Sequence, residues 1–363
     1  MKQLLQKLGP ALGLAATWIL FAALAGHTFT SWSNQQLMLL QTAVVGTAAV
    51  GATWIVVSGG IDLSVGSSIA LGTMVVALLL NSHWPAPLAA LGGIAVGVLV
   101  GALIGALVVG RLASVIALVA AVSVGGWLAR AHGWIVGVPS GAALAVLLGL
   151  ALPKVLGRLP LSPFIVTLGL WGALRGLAKG LGNNQPIYPQ ETGVLGELMY
   201  VAPSGVFHFL PPGVWILALT AALAALAMRY TRFGRRVFAI GSNEETARLC
   251  GVDVERTKIA VYALAVGCAG IAAVLQLSYL SMGDPTTAQG YELKVIAAVV
   301  IGGASLSGGQ GSIVGTLIGA LIMTVVDNGC TKLGLDNWVQ ELVTGGIIVA
   351  AVALDRLRAR TSE

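Results

Sequence analysis

Asp62 stands in the stretch VVSGGIDLSVG (56–66), a carboxylate with apolar sequence on both sides. An ionisable residue in such surroundings is by default a candidate for handling an ion, a proton or a solute. A second stretch, VVIGGASLSGG (299–309), repeats it with identical residues at seven of eleven positions, and there Ser305 replaces the acid. Aspartate and serine are both good N-caps, so the matched serine favours a shared structural role: each starts the helix that follows a break. The paired glycines Gly59, Gly60, Gly302 and Gly303, with Ser64 and Ser307 beyond them, imply interrupted helices or close backbone contacts. Both copies lead into a Gly-spaced apolar segment and have the same expected direction, which makes the duplication parallel rather than inverted.

Other chemistries lack their residues. The four histidines, His27, His83, His132 and His208, form no metal-binding spacing and are expected at membrane interfaces. The cysteines Cys250, Cys268 and Cys330 share no short spacing, so neither a zinc site nor a disulfide framework is expected. No lysine follows a glycine, so there is no phosphate-binding P-loop and the chain is not expected to hydrolyse ATP itself. A membrane enzyme would need clustered nucleophiles or metal ligands. A secondary transporter or channel would need a carboxylate path or polar pore, and Asp62, Asp284 and Asp327 are scattered.

The segment Arg229–Lys258 holds seven basic and four acidic residues between apolar flanks. A polar loop of this kind lies in water, and its basic residues argue for the cytoplasmic side. Ser242 and Glu245 read as a capping box and Gly251 as the residue that ends a helix, giving a two-turn helix over 243–250. The residues admit two readings, a helix displayed to a partner or a solvated connector that sets topology.

The elements that hold these groups are membrane helices. The chain has 363 residues, 57% hydrophobic and 9% charged, against roughly 25% charged in soluble domains. Its net charge of +6 sits at span ends and is no nucleic-acid signature. The expected fold is an all-α polytopic membrane protein of about 10–12 transmembrane helices, some broken. Spans are expected near 11–27, 37–57, 63–82, 88–110, 112–138, 141–157, 163–181, 213–229, 258–281, 291–306, 312–328 and 338–354. The start resembles a signal peptide but reads better as an uncleaved first helix. Lys2, Lys7, Arg111, Lys154, Arg158, the seven basic residues of the central loop, Arg356, Arg358 and Arg360 then fall inside. Arg130, Arg175, Lys179, Lys294 and Lys332 do not fit that pattern. The outer loop 183–212 is rich in proline (Pro186, Pro189, Pro203, Pro211, Pro212) and aromatics (Tyr188, Tyr200, Phe207, Phe209), yet too short for a binding domain. Candidates for a solute path are Trp171, whose ring can stack on a solute, with Asn183, Asn184, Gln276, Ser278, Tyr279, Asp284 and Asn328. Packing or interfacial anchoring is the competing reading for each.

SGGIDLSVGS, PFIVTLGLWGALRG, GRRVFAIGSNEETARLCGV and GYELKVIAAVVIGGASLSGGQGSIVGTLIGALI occur in order, followed by a basic tail. In this the chain resembles the membrane permeases of ribose-, xylose- and arabinose-type ABC sugar importers, in the branched-chain/ribose permease superfamily. The resemblance implies one permease domain over 1–363 in a bacterial inner membrane, with both termini cytoplasmic. It implies a second permease copy, two ATPase subunits or domains that carry ATP and Mg, and a periplasmic sugar-binding protein. No cofactor is expected on this chain. The spacing Glu245-x-Ala247-x-x-x-Gly251 is similar to the family's coupling signature. Gly234, Ser242, Asn243, Glu244, Glu245, Ala247, Arg248 and Gly251, in the cytoplasmic loop 230–257, are thereby implied to contact the ATPase. The helix breaks at 59–64 and 302–307 are implied to gate. Three features depart from the pattern: Lys294 where an acid is usual, Gln310 where a basic residue is usual, and an additional helical hairpin over 112–157. The sugar is not named by the sequence, and the alternatives are a secondary transporter or channel for a small polar solute, or a permease of the same superfamily for a non-sugar solute.

Overall fold

The computed structural model describes residues 2–157, 159–201 and 209–360. Arg158, Pro203, Phe207 and His208 lie outside the described residues. The described chain is helical: α1 (Lys2–Ala25), α2 (His27–Thr30), α3 (Trp32–Val57), α4 (Val65–Asn81), α5 (Ala86–Val108), α6 (Leu112–His132), α7 (Trp134–Leu156), α8 (Pro163–Leu181), α9 (Pro212–Tyr230), α10 (Arg232–Ser242), α11 (Glu244–Leu249), α12 (Val254–Leu280), α13 (Tyr291–Ile301), α14 (Ile313–Lys332) and α15 (Asn337–Arg360). Eight helices among the described residues are long and apolar enough to cross a membrane, and two shorter apolar stretches, Gly9–Ala25 and Val65–Asn81, accompany them. The multi-pass, all-α expectation stands.

The centre is α3. Its most apolar window is 94% buried, because α12, α13, α14 and α9 pack around it. A helix buried on all sides must satisfy its polar groups internally. The hydroxyls of Thr42, Thr47 and Thr53 accordingly donate to the carbonyls of Met38, Ala43 and Ala49, at 2.7, 2.7 and 2.8 Å. Two polar contacts tie α3 to α14. Asn34 and Asn328 exchange amide hydrogen bonds at 2.8 and 3.1 Å, and Thr53 meets Thr316 at 2.8 Å.

The α5–α12 pair shows why the glycines recur every fourth residue. A Cβ on Gly97 would lie 2.5 Å from the Val266 carbonyl oxygen, and one on Gly105 would lie 2.7 Å from the Ile259 Cα. One stripe of bare Cα atoms thus lets two backbones touch. In lipid, where no hydrophobic force drives helices together, close packing of this kind supplies the association energy.

Two span boundaries differ from expectation. The turn between α6 and α7 lies at Gly133, with φ +86°, rather than near 139–140, so α7 starts at Trp134 and contains Pro139. Glycine adopts that left-handed backbone at no steric cost, and it sets the turn. The expected span 291–306 is an eleven-residue helix, Tyr291–Ile301. At 1.5 Å per residue it covers about 16 Å, roughly half of a bilayer core. The α6–α7 hairpin packs chiefly on itself: a Cβ on Gly125 would lie 3.0 Å from the Gly141 Cα. It is pinched at its base, where Leu159 N–H donates to the Gly110 carbonyl at 3.2 Å.

Candidate functional site

The two repeat copies end their first helices in the same way but one residue out of step. After α3, the N–H groups of Gly59 and Gly60 donate to the carbonyls of Val56 and Ile55, both at 2.9 Å. After α13, those of Gly303 and Ala304 donate to Val300 and Val299, at 2.9 and 3.1 Å. Both are Schellman motifs, and the left-handed residue in each is glycine, Gly59 at φ +80° and Gly303 at φ +93°. Gly59 therefore matches Gly303 in space, although the repeat aligns it with Gly302. The displaced glycines serve packing. A Cβ on Gly302 would lie 2.5 Å from the Gly315 carbonyl carbon, and one on Gly60 would lie 2.6 Å from the Tyr262 hydroxyl.

Asp62 and Ser305 do not cap the following helices. Asp62 Oδ1 accepts from the backbone N–H and the hydroxyl of Ser64, both at 2.7 Å, a tight turn that precedes α4. Ser64 stands at the N-cap position of that helix without a side-chain cap bond. Ser305 Oγ accepts from Ser307 N–H at 3.3 Å, and α14 starts only at Ile313, capped by Ser312. The shared role is a turn two residues long, which either side chain can close. The Asp62 carboxyl is 4% exposed.

The two breaks meet each other and the polar central segment. Gly309 N–H donates to the Val57 carbonyl at 2.9 Å, joining the loop after α13 to the end of α3. Gly241, near the end of α10, lies against both partners, since a Cβ there would be 2.5 Å from Gly309 N and closer still to the Val57 oxygen. A Cβ on Gly308 would lie 2.7 Å from the Gly241 oxygen and 3.0 Å from the Gly59 Cα. Three chain segments thus touch through bare backbone.

From this junction the chain passes into α11, Glu244–Leu249. Asn243 caps it, its Oδ1 accepting from Thr246 N–H at 2.8 Å; Ser242 is the last residue of α10 and closes no capping box with Glu245. Asparagine wins because its backbone is extended, as an N-cap requires, while Ser242 is still helical. Gly251 takes the expected left-handed conformation, φ +82°, and Val252 N–H returns to the Ala247 carbonyl at 3.0 Å. Glu244 pairs with Lys258 at 2.6 Å and with Arg248 at 3.3 Å. Ala247 is 4% exposed and packs on Ile240 and Val254. The outward residues are Glu245, Thr246, Arg248 and Leu249, the last 84% exposed. Ala247 therefore seats the helix on its own chain, and Leu249 is what the sequence reading missed. Gly234 makes the α9–α10 corner, packed on the Met228 backbone.

The expected path residues separate. Trp171 donates its indole N–H to Glu292 Oε1 at 3.2 Å and lines a cavity of about 720 Å³. Asn328 and Tyr279 line a neighbouring one of about 260 Å³. Gln276 is held by Thr287 at 2.9 Å, Ser278 by Met199 N–H at 3.0 Å, and Asp284 by Thr286 at 2.7 Å. Asn183 and Asn184 take left-handed conformations in the turn after α8. Arg175, Glu292 and the Lys294–Asp327 pair (2.6 Å) were not foreseen as a group. Arg175 donates to the carbonyls of Pro285 and Thr287, at 3.0 and 2.6 Å. Their common signal was ionisable side chains inside apolar sequence, which here come from three different helices.

Sequence comparison bears on this arrangement. The chain is 35% identical over 358 residues to the probable ABC transporter permease protein YphD of Escherichia coli K12, covering 99% of this chain and 92% of that protein. It is 35% identical over 352 residues to the ribose import permease protein RbsC of Bacillus subtilis, covering 97% and 93%. Against the xylose transport system permease protein XylH of E. coli K12 it is 34% identical over 365 residues, covering 96% and 91%. No solved structure matches the chain. The family described as the branched-chain amino acid transport system permease component matches residues 109–352, most of the helices that build the site. With the multi-pass fold and the glycine junction, these matches show that the chain is a membrane permease of that family.

Proposed function

We propose that this chain is the membrane-spanning subunit of an ATP-driven importer for a sugar, a pentose, hexose or related polyol, delivered by a periplasmic binding protein. The relatives named for ribose and xylose import, at 34–35% identity over nearly the whole chain, support the solute class. The chain itself binds no cofactor; ATP and Mg belong to two ATPase subunits. It works as a pair of permeases, of identical or different chains, in a bacterial inner membrane with both termini in the cytoplasm. Its activity is transport, not catalysis. A branched-chain amino acid is the second reading, because the matching family is described by that solute.

The observation that carries the coupling mechanism is the junction. The capped helix α11 continues directly from Gly241 and Ser242, and those residues rest on Val57 and Gly309 at the two breaks. A push on the exposed side of α11 therefore reaches both breaks through a few backbone atoms, without a flexible side chain between. Glu245, Arg248 and Leu249 form the face presented to the ATPase, and the breaks at 59–64 and 302–307 open or close the inner end.

Uptake of radiolabelled ribose, xylose and leucine, in cells with and without this chain, tests the reading. Sugar uptake that needs both this chain and a co-expressed ATPase is expected. Uptake that survives loss of the ATPase would overturn it, and leucine uptake alone would favour the second solute.

A further inference from the structure

We infer that the cavity of about 720 Å³ between α8, α13, α14 and α15 is a binding station for an uncharged polyhydroxyl solute inside the membrane domain. The inference rests on the sugar reading above and specifies where the solute is held. The volume is that of small-molecule sites, which span roughly 300–1,000 Å³. It lies away from the junction: Asp327 is fourteen residues beyond Ile313 on α14, about 21 Å along the helix axis.

Its wall carries the two features that sugar recognition needs, an aromatic face and paired polar groups. Trp171 is 36% exposed and lines the cavity, while its indole N–H is already held by Glu292. A ring fixed in this way offers its apolar face to the C–H side of a solute at little entropic cost. Glu292 is 9% exposed, and its Oε2 has no hydrogen-bond donor among the described residues. That oxygen lies against the bare Cα of Gly66, where a Cβ would come within 2.5 Å. Gly66 is not part of the cavity wall and this oxygen is sealed from it, so the carboxylate serves to hold the indole, and the polar partners offered to solute hydroxyls are Gln289, Asn337, Gln340 and Thr344 of the lining.

The charged residues of the cavity wall are three acids and one lysine, a surplus of negative charge that is partly paired. Lys294 and Asp327 neutralise each other at 2.6 Å, and Arg175 lies in electrostatic reach of Glu292. Glu341 adds a further negative charge to the wall, while Lys332 lines only the adjoining small cavity. Walls of this kind disfavour a sugar acid or sugar phosphate and leave hydroxyl hydrogen bonding as the main attraction. Lys294, Asp327 and Gln340 line both cavities, so the ion pair is the partition between them.

Two glycines of α15 allow a direct test. Gly345 lines the cavity, Gly346 does not, and a Cβ on either meets nothing within 4 Å. Each is replaced by tryptophan in the complete transporter, with its own ATPase and binding protein, and initial uptake of labelled ribose and xylose is measured at equal membrane content. Gly345→Trp should lower the maximal rate by about tenfold or more, and Gly346→Trp should leave it within about twofold, a tenfold change being ~1.4 kcal/mol. Trp171→Ala should also lower it about tenfold, and Trp171→Phe, which keeps a ring, should restore most of the loss. Full uptake in Gly345→Trp, or equal loss in both tryptophan variants, would overturn the inference alone. Uptake of gluconate at the rate of ribose would overturn the assignment to uncharged solutes. No sugar uptake by the wild type would instead overturn the functional reading, and this inference with it.

Discussion

Gly309 and Val57 are far apart in sequence, yet the N–H of one and the carbonyl of the other meet at 2.9 Å, over the bare Cα of Gly241. Each of the three belongs to a different functional feature of the chain: one helix break, the other break, and the polar central segment that contains α10. Nothing larger than a hydrogen atom fits at Gly241. Gly241→Ala should therefore displace α10 from both breaks. Overpacking of this kind costs typically about 1–3 kcal/mol. The variant should insert in the membrane, melt lower than the wild type, and lose most uptake. Wild-type melting and uptake would show that the three-segment contact has no role.

The burial of Ala247 and the exposure of Leu249 separate the seat of α11 from its free face. Leu249→Glu changes a side chain that is 84% exposed, so thermal stability should stay within about 0.5 kcal/mol. Capture of the ATPase in detergent should nevertheless fall. Ala247→Glu should do the reverse first, lowering stability because a charge enters the contact with Ile240 and Val254. Normal ATPase capture by Leu249→Glu would sink the proposal that this face is the docking face.

Asp62 is held as a turn-former through one oxygen, Oδ1, and asparagine keeps that oxygen. Asp62→Asn should retain most transport, and Asp62→Ser, which imitates Ser305, should retain a substantial share. Asp62→Ala leaves the Ser64 N–H and hydroxyl without their acceptor, a loss of about 1–3 kcal/mol for buried groups. Abolition of uptake in Asp62→Asn, with normal insertion, would assign the charge itself a mechanistic role.

Lys294 and Asp327 are each about one quarter exposed, so their attraction is only partly screened. A double-mutant cycle of Lys294→Ala and Asp327→Ala, read by thermal melting, should give a coupling energy near the upper end of exposed pairs, about 1 kcal/mol. Additive losses would mean that the contact contributes nothing to the partition between the cavities.

The membrane class, most helices and the two helix breaks follow from the sequence alone. Long apolar runs have one stable arrangement in a bilayer, and glycine pairs within them have few structural uses. Gly251 was legible for the same reason, since a left-handed helix end calls for glycine. The sequence also determined that Asp62 and Ser305 play one shared part, because two short oxygen-bearing side chains occupy matched positions. It misplaced that part by a few residues: a turn and a helix cap use the same residue types, and only backbone geometry distinguishes them. The register of the repeat, the inward direction of Ala247 and the gathering of Trp171, Glu292, Lys294 and Asp327 were decided by tertiary structure. A one-residue extension of α13 shifts which glycine must be left-handed. The face that a short helix buries depends on what lies beneath it, and here that is Ile240 and Val254. Side chains from α8, α13 and α14 share a cavity only once three helices have packed, and no local spacing encodes that packing.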